Sequence, residues 1–151
     1  MNMNFNELVV KMPGLLQSLK SQPFRTRENL VGIPERGVYV FYESDKALYV
    51  GRSNRLKARL QEHSRLSSTH NSATFAFNLA KKIHAKEIPP DVTLKELEQA
   101  SDFDKAFFEA KNHVAQMKIR VIQIDDQVTQ ALFEIYAALA LNAPYNDFST
   151  H

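Results

Sequence analysis

The 151-residue chain reads as an α+β fold, with a small three-stranded antiparallel sheet flanked by several helices. Two observations carry that reading. Only three segments have strand character, too few for a doubly wound sheet, while most of the remaining chain repeats at helical spacing. The first two strands are joined by the short polar Glu43-Ser44-Asp45-Lys46, which makes them a hairpin.

In chain order, Asn6–Lys20 predicts an amphipathic helix, with Leu8, Val9, Leu15, Leu16 and Leu19 apolar and a disturbance at Pro13-Gly14. Gln22–Arg36 is irregular. Gly37–Tyr42 and Ala47–Gly51 are the hairpin strands. A helix then starts at Ser53 or Asn54, both good caps, and runs to about Leu66. Ser67–Asn71 is a polar loop, and Ser72–Lys86 is helical until Pro89-Pro90 stops it. Leu94–Ala100 and Phe103–Met117 predict further helices. Lys118–Ile124 alternates polar and apolar, so it is a third strand with one wet face. Asp125-Asp126 caps a last helix over about Val128–Leu141.

Composition excludes several chemistries. The chain is 44% hydrophobic and 24% charged, with no cysteine and no tryptophan. That composition predicts one ordinary globular domain with a single core. No disulfide, zinc-cysteine cluster or thiol nucleophile is available. No apolar run approaches the ~20 residues of a membrane helix, so no membrane partner is expected. Lys11, Pro13 and Gly14 interrupt the apolar stretches at the start, so no signal peptide is read there. A cytoplasmic location is the expectation.

The net charge of +2 hides an asymmetry. Residues 1–86 hold 14 Lys/Arg against 6 Asp/Glu, whereas residues 87–151 hold 5 against 11. The basic half is densest at Lys46, Arg52, Arg55, Lys57, Arg59 and Arg65. Such a cluster is either a footprint for a phosphate backbone or a solvated helix face.

The hairpin and the helix after it hold the most informative residues. Tyr39 and Tyr49 lie in adjacent strands, where tyrosine pairs often only pack. Gly51 ends the second strand and leaves its backbone open to a ligand. Arg59 and His63 are four apart and share a helical face. The helix start at Ser53-Asn54 offers amides to an anion. Together these groups suit a phosphate. Farther on, Glu134 is the only carboxylate in the apolar stretch Ala131–Leu141. It faces a cleft, a cation or a partner, or else shares a narrow wet stripe with Gln127 and Gln130. His70, His84 and His113 have no ligand spacing to one another.

Here the pattern becomes specific. Gly37-Val38-Tyr39, the ten-residue interval from Tyr39 to Tyr49-Val50-Gly51, and the downstream Arg59 and His63 resemble the GIY-YIG nuclease family, with Val in place of Ile in both tripeptides. The resemblance covers Gly37 to about Leu66 and Arg120 to Asn146. It implies one GIY-YIG-like nuclease domain, with an N-terminal helical extension (about 1–36) and a helical insertion (about 67–117). The implied activity is divalent-metal-dependent endonuclease cleavage of DNA. The alternative is a non-catalytic nucleic-acid-binding module that retains the fold.

The family further implies catalytic roles for Tyr39, Tyr49, Arg59, His63 and Glu134. Glu134 would hold Mg²⁺ or Mn²⁺. Tyr39 would be the general base, its pKa near 10 offset by positive charge from Arg59 and the metal. Tyr49 and His63 would hydrogen-bond water or phosphate, and Arg59 would clamp the phosphate oxygens. Gly51, Arg52, Asn54, Arg55 and Asn146 would contact the substrate, Asn146 being the match to a terminal asparagine of the family. Strand alternation sets a geometric condition: tyrosines aimed at one site are direct cross-strand neighbours. Tyr42 then faces Lys46 across a Glu43-Ser44-Asp45 loop, with Asp45 left-handed. Pairing Tyr42 with Ala47 would instead send the two rings to opposite faces.

Overall fold

The computed structural model describes residues 3–83 and 101–148. Among the described residues there are five helices and three strands. They are α1 (Phe5–Lys20), β1 (Gly37–Glu43), β2 (Lys46–Ser53), α2 (Leu56–Glu62), α3 (Thr74–Ile83), α4 (Ser101–Ala115), β3 (Lys118–Gln123) and α5 (Gln127–Ala140). The sheet is antiparallel with order β2-β1-β3, so the α+β class is as expected. The expected helix over Leu94–Ala100, the Pro89-Pro90 stop and His84 lie outside the described residues. No helix among the described residues is long and apolar enough to cross a membrane. The chain divides into two compact units, residues 1–59 with 117–151, and residues 60–116.

In the first unit, β1 is central and buried on both faces. Val38, Val40 and Tyr42 on one face, with Ala47, Val50 and Ile122, pack under Met12, Leu16 and Leu19 of α1 and Phe133, Ala137 and Ala138 of α5. Asn4 caps α1 by accepting from the Glu7 amide at 2.9 Å. The helix continues through Pro13, where a disturbance was expected, because Pro13 is exposed and its missing hydrogen bond falls on the solvent side. Asp126 caps α5, accepting from the Thr129 amide at 2.9 Å and its hydroxyl at 2.6 Å. These bonds favour the charged carboxylate and hold its pKa below the usual range.

Both sheet edges are covered, as a three-stranded sheet needs if its outer amides are not to recruit another chain. Beside β3, Arg25 forms a bridge with Ile119, two backbone bonds of 2.7 and 2.8 Å. Phe24 lies under the Arg120 guanidinium at 3.8 Å and the Lys118 ammonium at 4.2 Å, so the wet face of β3 is half-covered. Beside β2, the Asn146 side chain accepts from the Val50 amide and donates to the Val50 carbonyl, each at 2.8 Å. The Tyr145 amide adds a bond to the Leu48 carbonyl at 3.1 Å.

The hairpin departs from the expected register. Glu43 pairs with Lys46, leaving a two-residue turn in which Ser44, not Asp45, is left-handed at φ 53°. Tyr42 then pairs with Ala47, the arrangement expected to split the tyrosines. A bulge repairs it. The register shifts at once, so that Phe41 faces Tyr49 and Tyr39 faces Gly51, with Leu48 as the extra residue. Tyr39 and Tyr49 therefore share a face as diagonal rather than direct neighbours.

The second unit contains α3 and α4. Phe77 of α3 meets Phe103 and Phe107 of α4 edge-on, with ring centroids at 5.1 and 5.2 Å. The buried Lys111 ammonium donates to the carbonyls of Leu66 at 2.7 Å and Ser68 at 3.0 Å, pinning the polar loop before α3.

Asn146→Ala removes both bonds to Val50 from the β2 edge. The variant is expected to lose about 1–2 kcal/mol in urea unfolding, at roughly 0.5–1.5 kcal/mol per bond, with the m-value unchanged.

Candidate active site

The site forms where the two strand motifs meet. Gly37 and Gly51 have distinct reasons to lack a side chain. A Cβ on Gly37 would strike the Ile122 carbonyl of β3, so glycine lets the central strand start against its neighbour. A Cβ on Gly51 would strike the phenol of Tyr39, whose ring lies across that residue. The opening expected at Gly51 for a ligand is therefore filled by Tyr39. Gly51 is buried, and its contribution is to give that ring room.

Tyr39 is 1% exposed. Phe41 meets its ring edge-on at 5.8 Å, and Tyr49 lies tilted against it at 6.4 Å. Arg59, in the last turn of α2, hydrogen-bonds its hydroxyl. Burial pushes the Tyr39 pKa far up; Tyr49 adds to the rise, Arg59 opposes it without overcoming it, and Glu134 raises it further. Arg59 alone does not supply the offset expected for a general base, and Tyr39 is a neutral phenol here. Tyr49 shifts upward for the same reasons, burial first, then Glu134 against Arg59.

Glu134 comes from α5 with its side chain 27% exposed. Burial raises its pKa, and Arg52, with its Nε 3.7 Å from the carboxylate, pulls the other way. The helix around Glu134 mixes its faces: Phe133, Ala137 and Ala138 are buried, and a glutamine is buried with them. Val128, Ile135 and Leu139 are exposed, whereas Gln130 is 1% exposed. The expected wet stripe of Gln127, Gln130 and Glu134 is therefore absent: Gln127 is exposed and Gln130 is inside. Gln130 Nε2 donates to the Ile124 carbonyl at 2.7 Å and to Asn54 Oδ1 at 3.0 Å. Sequence reasoning missed Gln130. Its spacing of three and four from Phe133 and Glu134 and seven from Ala137 places it on the inward face.

The β2–α2 passage is tighter than expected. Helix α2 spans only Leu56–Glu62, and its leading amides are engaged. The Arg55 amide donates to Ser53 Oγ at 2.8 Å and the Leu56 amide to the Glu35 carbonyl at 2.9 Å. These two amides do not offer themselves to an anion. The six basic residues do not form one patch. Lys46 is at the hairpin turn, roughly 20 Å along β2 from Arg52 at ~3.3 Å per residue. Arg65 belongs to the second unit. Arg52, Arg55 and Lys57 are exposed, and Arg59 is partly buried beside Tyr39.

One further expected contact differs. Asn146 spends its side chain on the backbone of Val50, so it holds the terminal loop to β2. His63 falls in the second unit, wholly buried with its ring edge-on to Phe75 at 6.5 Å. The structure thus gathers Tyr39, Tyr49, Arg59, Glu134 and Arg52, links Asn54 to them through Gln130, and assigns Gly51 and Asn146 to their support. Among the described residues, no group of three or more His, Cys, Asp or Glu could hold a metal ion.

The family model of the GIY-YIG catalytic domain matches residues 35–101. The match begins just before β1 and covers the first stretch of the resemblance, Gly37 to about Leu66, and beyond; the second stretch, Arg120 to Asn146, lies outside it. The resemblance is borne out, and the matched domain implies a nuclease family. No curated protein and no solved structure matches significantly.

Two predictions follow from the ring over Gly51. Gly51→Ala is expected to cost about 1–3 kcal/mol, as overpacking does. The same change in a Tyr39→Ala background costs nothing or stabilises, a non-additivity read by urea unfolding of all four chains. For pH, Tyr39 and Tyr49 have folded-state values above the ordinary 10. Stability from keeping them neutral is therefore complete below pH 10 and is lost as pH rises past it. Tyr39→Phe is expected to flatten that alkaline decline in Tm.

Proposed function

Starting from a chain whose residues 35–101 match the GIY-YIG catalytic domain, we propose that the protein is a divalent-cation-dependent endonuclease hydrolysing phosphodiester bonds of DNA. The observation that carries this reading is the inward Glu134. A carboxylate held in partial desolvation, beside two phenols and two arginines, destabilises its own helix unless it binds something.

The donor set fits Mg²⁺ or Mn²⁺. Magnesium takes one or two protein carboxylates and completes its shell with water and phosphate oxygens, and Glu134 is one such carboxylate. A cation held there supplies Lewis-acid polarisation of the phosphoryl group and charge stabilisation of the leaving 3′ oxygen.

The chain's own residues do the rest. Arg59 keeps Tyr39 oriented through their hydrogen bond and turns its remaining N–H groups toward a phosphate. Positive charge beyond Arg59 would lower the phenol's pKa so that Tyr39 gives up its own proton to solvent, and the resulting phenolate oxygen would hold the attacking water and take one proton from it. Tyr49 orients the same water or a phosphate oxygen. Arg52 and Arg55, both exposed, take neighbouring phosphates of the strand. His63 packs on Phe75 in the second unit, and we give it no part in the chemistry.

The test is incubation of plasmid and single-stranded DNA with Mg²⁺, Mn²⁺ or EDTA. The wild type is expected to cut only with the cation, and Glu134→Ala not at all. Tyr39→Phe loses about 10²–10⁴-fold in rate, the usual worth of a general base, while DNA affinity holds. Arg59→Ala weakens both. DNA bound but never cut, with affinity falling steeply in salt, would replace this reading with a binding module.

A further inference from the structure

Gln130 has no part in the chemistry above, yet its carboxamide lies wholly inside the first unit. Both hydrogens of its Nε2 are spent, one on the Ile124 carbonyl at 2.7 Å and one on Asn54 Oδ1 at 3.0 Å. The side chain therefore ties the end of β3 and the first turns of α5 to the turn between β2 and α2. Two sequence features make those attachment points matter. Asn54 stands between Arg52 and Arg55, and Glu134 follows Gln130 by one helical turn, ~5.4 Å along the same face.

We infer that Gln130 is a positioning residue, a strut that sets the arginine-bearing β2–α2 turn at a fixed distance from the helix that carries Glu134. The turn has other fastenings, Arg55 to Ser53 Oγ within the turn and Leu56 to the Glu35 carbonyl just before β1, but neither reaches α5. The Gln130–Asn54 bond joins it to the helix of the acidic residue. Asn54 thereby acts as the receiving end of the strut, and its side-chain oxygen is turned to Gln130 rather than to substrate. The catalytic part of this inference rests on the endonuclease reading; the mechanical part does not.

The experiment compares wild type, Gln130→Met, Asn54→Ala and the double variant. Methionine keeps the length and bulk of glutamine and removes both donated bonds. Asn54→Ala removes only the bond to the turn and, at an exposed position, leaves the core intact. In DNA cleavage each single variant is expected to lose about 10–100-fold in kcat, the usual effect of removing a supporting contact, with KM for DNA little changed. The double variant should lose no more than Gln130→Met. Independently of cleavage, amide hydrogen exchange at Arg55 and Leu56 should quicken in all three variants, while β1 amides keep their protection.

Multiplying losses in the double variant, wild-type kcat in a folded Gln130→Met, or unchanged exchange at Arg55 and Leu56 would each overturn the inference. If Gln130→Met does not fold, Asn54→Ala alone decides by the same two readouts. A wild type that cuts no DNA would sink the endonuclease reading. The exchange data would then still say whether Gln130 holds the turn.

Discussion

The Tyr39 ring lying across the backbone of Gly51 is the contact from which the arrangement of this site follows. It takes a cross-strand position where one residue has a large side chain and its partner has none. It also requires a register that brings those two opposite each other. The two-residue turn at Ser44-Asp45 would by itself place Tyr39 against Val50 and the two tyrosines on opposite faces. The extra residue at Leu48 shifts the pairing by one, and the phenols come together. The C-terminal loop then engages the bulged strand, with Tyr145 on the Leu48 carbonyl and Asn146 on both polar groups of Val50. Turn, bulge and terminal loop form one device.

Around that device the first unit concentrates its unfavourable electrostatics. Two phenols and one carboxylate are desolvated together; Glu134 raises the proton affinity of both phenols and Tyr49 that of Tyr39, with Arg52 and Arg59 as partial compensation. Elsewhere in the same unit caps and edge bonds satisfy polar groups at Asp126, Asn4 and Arg25. A fold that is consistent locally and strained at one cluster has spent stability there, and such clusters are where function is sought. Helix α5 has the same character. It buries Phe133, Ala137 and Ala138 but also Gln130, half-buries Glu134, and leaves Val128, Ile135 and Leu139 exposed, which burial alone would not choose.

Much of this was legible in the residues. Strand character, the polar hairpin connection, the Asp126 cap and the lone carboxylate of an apolar stretch are local signals, each set by a few neighbouring side chains. The tyrosine spacing with its two glycines carries the resemblance to the GIY-YIG family. What misled were inferences from what neighbours a residue would meet. Gly51 looked open because a strand position without a side chain is open until another ring fills it. Gln130 looked wet because glutamine is polar, although its spacing from Phe133 and Ala137 puts it inside.

The sequence by itself determined the α+β class, the three strands, the caps and the set of candidate groups, because propensity, periodicity and capping act over a few residues. Only the tertiary structure decided which groups meet. The bulge at Leu48 chose the face of Tyr49, and the packing of α5 on the sheet turned Glu134 toward Arg52 and the phenols. Folding also sent Asn146 to the strand edge and left His63 with Phe75 in the second unit. Register and packing depend on contacts between residues far apart in the chain, such as Val50 with Asn146 or Asn54 with Gln130. Those contacts are settled only when the whole unit folds, since each backbone group and each ring competes for the same limited space.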